Sequence, residues 1–296
     1  MSRTRKLGYA IAAFYLVGVV LLAVLFGVTQ HKNTVFQIQN EFKLTSWVHL
    51  GVLSINRAVL YLFLAAICTV VTMVYIARRM QTRPNRVQTA VEVIYGLMRD
   101  NIAHGNMSDE MAAKWFPFIG ALFLFIWYSN LIGYLPLPTN SEETFNVFGA
   151  HIPSFALYAA TANVSVPLIL ALVVFLSFNI EGVRAHGPLG YLKSLIPAGV
   201  KGPMLLLIFP LELVSTFMRL ISLTVRLFAN ILAGHMIILF MAGGLAVILG
   251  LQFLGWFTMP AGVAIYLFEL GLIATLQAFI FATLSAIYLG TAVSHH

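Results

Sequence analysis

Arg219-Leu-Ile-Ser222-Leu-Thr-Val-Arg226-Leu-Phe-Ala-Asn230-Ile-Leu-Ala-Gly234-His235 lies within a long, mostly apolar run from Met204 to Leu251. Burying a guanidinium at the centre of a bilayer costs at least ~2.5–3.5 kcal/mol on insertion scales. Arg cannot avoid that cost by losing its proton. Arg226 therefore needs a partner or a task, and the polar residues spaced along the same stretch show that it does not stand alone.

The composition puts this stretch in a membrane. The chain is 60% hydrophobic and 9% charged, against the roughly 25% charged residues of a soluble domain. Six apolar segments stand out, at about 7–29, 57–77, 116–137, 156–180, 204–250 and 260–290. The net charge of +7 sits in short loops between them, which argues for the positive-inside pattern and against nucleic-acid binding. Arg3, Arg5 and Lys6 precede the first segment, Arg78, Arg79, Arg83 and Arg86 follow the second, and Arg184, Lys193 and Lys201 follow the fourth. The 138–155 loop carries Glu142 and Glu143 and no Lys or Arg. Both termini are thus expected in the cytoplasm, with 30–56 outside. The 7–29 segment is read as a retained helix, since its apolar core exceeds the ~7–15 residues of a signal peptide; cleavage is the alternative. Cys68 has no partner cysteine, so the sequence offers neither a disulfide framework nor a cysteine metal site.

Two segments are expected to do more than cross. Residues 86–104 put Val87, Ala90, Val91, Ile94, Leu97, Met98 and Ile102 on one helical side, with Gln88, Glu92, Arg99 and Asp100 off it. This predicts an amphipathic helix on the cytoplasmic membrane surface, packed or not against other subunits. Met204 to about Gly243 would form a helix ~60 Å long, twice the ~30 Å hydrocarbon core. It is expected as one long tilted helix that turns back between Gly243 and Pro260.

On that helix, with Arg226 at zero, Glu212 falls at about +40°, Ser215 at −20°, Arg219 at +20°, Ser222 at −40° and Asn230 at +40°. The six share a stripe about 80° wide, followed by Ala229 and Ala233, and His235 lies about 180° away. A proton path divided by a fixed cation has this form. Plainer readings also exist: an Arg226–Glu269 ion pair joining helices, an interhelical hydrogen-bonded His235, and a headgroup-facing Glu212–Arg219 pair. The last segment adds Glu269 and Gln277, intramembrane polar groups that are functional candidates by default.

These residues resemble subunit a of the F-type ATP synthases. The resemblance is specific over Ser222–His235 and over Thr275–Phe281 through Tyr288-Leu289. It extends more weakly to Asn130–Pro138, Thr161–Val166 and the 86–104 helix, covering about 57–290 and leaving 1–56 outside. It implies an all-α polytopic membrane protein with about six membrane helices, a long tilted helix hairpin at the C-terminal end and the surface helix. The expected division is 1–56 as an extra membrane helix and outer loop, and 57–296 as the subunit a domain.

The resemblance implies a proton-translocating stator subunit with two offset half-channels to a ring of c subunits. Arg226 would face the c-subunit carboxylate. Glu212 and Ser215 would serve the cytoplasmic half-channel, while Asn230, His235, Glu269 and Gln277 would lie near the outer one; Arg219 and Ser222 complete the stripe. Implied partners are c-ring proteolipids, peripheral-stalk b subunits, other ATP synthase subunits and the lipid bilayer of a bacterial inner membrane, with no cofactor, metal or nucleic acid. Three departures stand out: an eight-residue Glu269–Gln277 spacing where the family usually has seven, Asn163 where many members have Asp, and the extra first span.

Other classes fit less well. No Gly-rich phosphate loop followed by Lys-Ser or Lys-Thr occurs, so nucleotide chemistry is assigned to partner subunits. A secondary transporter binding an anion through Arg226 is the alternative, but such folds show internal repeats and the Arg-Leu-Phe-Ala-Asn text has no second copy. A haem or quinone subunit wants paired His on facing helices, and His235 stands apart from the scattered others.

Overall fold

The computed structural model describes residues 46–50, 53–81, 83–147, 150–194, 204–241 and 255–293. The predicted 7–29 span, both termini and the turn-back after residue 241 lie outside these. The helices are α1 (Arg57–Arg79), α2 (Arg86–Gly96), α3 (Asp109–Gly133), α4 (Ser165–His186), α5 (Pro188–Ser194), α6 (Met204–Leu239), α7 (Gly255–Phe268) and α8 (Ala274–Val293). Two π-helical stretches, Leu97–His104 and Glu269–Ile273, continue α2 and join α7 to α8. Among the described residues five helices are long and apolar enough to cross a membrane: α1, α3, α4, α6 and the joined stretch Thr258–Val293. The membrane part is all-α, as expected.

The described chain divides into two compact units. The smaller takes the end of α6 from Met236 and α7 up to Leu267. The larger comprises Leu44–His235 and Phe268–His296. Its centre is α3, which packs against α1, α8 and the π-helical stretch after α2. Ile119, Leu124 and Ile126 of α3 are fully buried. Gly133 lets the end of α3 approach the chain closely, since a Cβ there would meet Ala159 Cβ at 2.6 Å.

Several boundaries differ from the apolar runs, for local reasons. The third span starts at Asp109, seven residues before the apolar segment, because Ser108 precedes it and Asp109 and Glu110 suit the positive end of a helix dipole. The fourth starts at Ser165 instead of 156, where the Asn163 side chain accepts the Ser165 N–H at 3.1 Å. It runs on to His186 and stops at Gly187, whose φ of 73° with ψ of 164° is a backbone conformation that glycine adopts readily because it has no Cβ. The expected loops also fold further: Ser46–Leu50 pairs with Leu53–Asn56, and Leu137–Val147 with Ala150–Ala156, as antiparallel hairpins. Aromatic and β-branched residues such as Thr144, Phe145, Val147, Ile152 and Phe155 favour strands there.

The expected 86–104 helix is present, and its packed side differs from its apolar one. Met98 and Ile102 are fully buried, but Val87 is 64% exposed and Gln88, expected off the apolar side, is buried. Gln88 Nε2 donates to Gln81 O and to Glu92 Oε1, each at 2.7 Å. The π-helical stretch turns each residue by less than an α-helix does, so the apolar side of α2 does not continue into it.

The long helix is present: α6 runs unbroken for 36 residues, about 54 Å at 1.5 Å per residue. Arg219 lies over the Tyr288 ring, at 5.2 Å, while Gly234 lies against Glu269. Moving forward along α6 therefore means moving back along the last helix, an antiparallel hairpin.

Candidate functional site

The α6 helix has two dissimilar sides. Thr216, Leu223, Leu227, Ile231 and His235 are at most 4% exposed, and they recur at seven- and four-residue intervals, as one packed face must. Arg226, Ser222, Ala229 and Ala233 are exposed on the other side. Among the described residues, no ion pair or hydrogen bond engages Arg226, and Glu269 is not its partner. The other stripe residues, Glu212, Ser215, Arg219 and Asn230, are half-buried. The Asn230 amide nitrogen is buried without a hydrogen-bond partner among the described residues. Arg219 is drawn off the open face by its contact with Tyr288.

A buried polar cluster forms where α3, α6 and the Glu269–Ile273 segment meet. His235, 1% exposed, has Nδ1 at 3.1 Å from Ile231 O and Nε2 at 3.2 Å from Gly133 O. The Tyr134 ring lies 4.6 Å from the His235 ring, centroid to centroid, at 31°. Tyr134 donates its hydroxyl to Glu269 Oε2 at 3.0 Å. The Glu269 carboxyl lies flat against Gly234, where a Cβ would meet Oε2 at 2.5 Å and Oε1 at 2.8 Å. No hydrogen bond joins His235 to Glu269 directly among the described residues, and Tyr134 touches both. The cluster continues through buried Asn130, which donates to Ala274 O at 3.4 Å and accepts from Thr161 at 2.9 Å. Trp127 Nε1 donates to Thr275 Oγ1 at 3.0 Å.

Gln277 joins this side because of a helical irregularity. Eight residues at 100° would set it about 80° from Glu269. In the Glu269–Ile273 segment the Ala274 N–H bonds back five residues, to Glu269 O. Such π-turns absorb one extra residue, leaving an effective seven-residue offset of about −20°. Glu269 and Gln277 are accordingly both buried, at 9% and 7% exposure.

A second ionic cluster occupies the opposite end of the larger unit. Glu181 on α4, nearly buried, pairs with Lys114 on α3 and lies 3.7 Å from Arg184 Nη1. Tyr191 on α5 donates to Asn179 Oδ1 at 2.9 Å. Burial pushes the Tyr191 phenol up, and the nearby Arg219 guanidinium opposes that shift. Glu212 and Ser215 lie toward this end of α6, one to two turns before Arg219.

Sequence reasoning singles out His235, Glu269 and Gln277, since such groups are conspicuous in apolar runs, but not Glu181, Lys114 or Asn179 of the second cluster. It misses Tyr134, because a tyrosine in an apolar helix end reads as packing; its partner Glu269 is 135 residues away.

Comparison with known proteins fits this geometry. Residues 59–290, which contain every stripe and cluster residue predicted from sequence, match the family model for the ATP synthase A chain. The ATP synthase subunit a of Rubrobacter xylanophilus is 36% identical over 255 residues, covering 84% of this chain and 90% of that one. The corresponding protein of Bradyrhizobium diazoefficiens is 34% identical over 252 residues, covering 83% and 91%. That of Gluconobacter oxydans is 32% identical over 252 residues, covering 83% and 92%. The chain therefore belongs to the ATP synthase A chain family, as an integral membrane, proton-translocating subunit of a bacterial ATP synthase.

Proposed function

We propose that Arg226 divides two offset half-paths for protons, and that the open face of α6 is where a ring of c subunits passes. The carrying observation is the exposure of Arg226 without an ionic partner among the described residues, beside Ala229 and Ala233. A guanidinium in that setting is costly unless an anion from another chain meets it. Small neighbours let a second helix come close. Protons would enter from the outer side through His235, Glu269, Gln277 and Asn230, and leave on the cytoplasmic side through Ser215 and Glu212. Ser222 and Arg219 flank the divide. The fixed charge keeps a proton from crossing directly, so passage requires loading onto a c-subunit carboxylate and a turn of the ring.

On this reading the chain has no catalytic centre of its own, and nucleotide chemistry belongs to its partner subunits. The peripheral-stalk b subunits are its further partners, the plasma membrane its location, and both termini are cytoplasmic. Residues 1–56 form an extra membrane helix and outer loop ahead of the 57–296 domain.

The test is substitution of Arg226 in assembled complexes in membrane vesicles. Arg226→Lys keeps a charge but loses the planar five-donor fork and gains the ability to deprotonate, so proton-driven ATP synthesis is expected to vanish. Arg226→Ala is expected to let protons leak when the ring is held still. Substantial synthesis by the Lys variant would refute the proposal.

A further inference from the structure

Tyr134 connects two titratable groups that do not touch each other. It is fully buried, its ring lies 4.6 Å from that of His235, and its hydroxyl donates to Glu269 Oε2 at 3.0 Å. Both ring nitrogens of His235 face backbone carbonyl oxygens, at 3.1 and 3.2 Å. A neutral imidazole has one N–H and donates to one of them; a protonated ring donates to both. Either charge state thus has an acceptor in place. The tyrosine face is also a favourable neighbour for a cation.

Glu269 is provided for in the same way. As a carboxylate it accepts the phenol hydrogen, a charge-assisted bond. As a carboxylic acid it still accepts at one oxygen and gains a donor of its own. The Gly234 backbone against the Glu269 carboxyl is uncharged. No other ionisable side chain among the described residues is hydrogen-bonded to either His235 or Glu269.

We propose that Tyr134 is the positioning residue that makes His235 and Glu269 one proton-exchanging unit. Its hydroxyl fixes the carboxyl over Gly234, and its ring holds the imidazole between the two carbonyls. One group can then take up a proton as the other releases one, with only N–H and O–H bonds formed and broken. This rests on the reading of His235 and Glu269 as members of the outer half-path.

The experiment measures passive proton conduction and ATP-driven pumping in vesicles holding the full complex, normalised to chain abundance, in H2O and D2O. Tyr134→Phe keeps the ring and removes the hydroxyl. It is expected to lower flux roughly tenfold and to raise the H2O/D2O rate ratio, which a merely structural defect would leave alone. Tyr134→Leu should be worse than Tyr134→Phe, and Tyr134→Phe should add nothing to Glu269→Gln. Wild-type flux in Tyr134→Phe, with Glu269→Gln and His235→Ala both impaired, overturns the role of Tyr134 and leaves the outer path standing. Wild-type flux in Glu269→Gln and His235→Ala overturns the path itself and this inference with it. If Tyr134→Phe does not accumulate, fluorotyrosine at 134 preserves the shape and makes the hydroxyl a stronger donor. An altered isotope ratio is then expected, and an unchanged ratio overturns the proposal.

Discussion

At the scale of single residues, position 234 has no free room for a side chain. Gly234 is buried, and a Cβ there would lie 2.6 Å from the Glu269 Cδ. The carboxyl is the far end of a flexible side chain, so it would move aside, and its 3.0 Å bond from Tyr134 would be lost. Alanine favours the helix by up to ~1 kcal/mol over glycine, so Gly234→Ala is expected to accumulate normally in membranes. Passive proton flux should nevertheless fall roughly tenfold, the loss expected from one hydrogen bond to a charged group. Normal flux per copy of the chain would show that the seat of Glu269 is not needed. No reading of one helix alone reveals this. The sequence shows a Gly beside a His, and only the fold shows that a carboxylate from the last helix occupies the vacant Cβ space.

At the scale of elements, the π-helical Glu269–Ile273 segment reconciles an eight-residue spacing with a shared face. Gly271 in its middle has nothing within 4 Å of where a Cβ would be, so removing it deletes no packing. Deleting Gly271 should turn the segment into plain α-helix and keep Glu269 within about 20° of Gln277. ATP synthesis should survive at no less than half the parental rate. Inserting one Ala after Gly271 should instead rotate the two by about 100° and abolish synthesis. Equal loss in both variants would show that the π-turn has a role beyond alignment. The spacing was visible in the sequence, but its resolution was not, because periodicity arguments assume 3.6 residues per turn throughout. On the surface helix the difference has another cause: Gln88 is packed because its side-chain amide bonds to Gln81 O and Glu92. Where α-geometry does persist, as in α6, the angles computed from sequence match the observed sides: Arg226 and Ser222 are open and His235 is packed.

At the scale of the whole molecule, the length of α6 sets which residues can meet which side of the membrane. Glu212 and Ala233 are 21 positions apart on one unbroken helix, about 32 Å along its axis against a hydrocarbon core of ~30 Å. Arg226 lies between them, about 21 Å from Glu212 and 10 Å from Ala233 along that axis. Basic residues at Arg78, Arg83, Arg86 and Arg184 mark the ends of α1 and α4 that share a side with the start of α6, and the positive-inside rule predicts that side to be cytoplasmic. Cys68 is the chain's single cysteine, so a Cys68→Ser background gives clean thiol labelling. Glu212→Cys should react with an impermeant reagent applied from the cytoplasmic side, and Ala233→Cys with the same reagent applied from the outer side. Adding Arg226→Ala should leave this sidedness in place while proton leak rises, because the charge blocks protons and the helix blocks the reagent. Labelling of both cysteines from one side would mean that α6 does not separate two paths, and would leave Arg226 as an anchor for another chain.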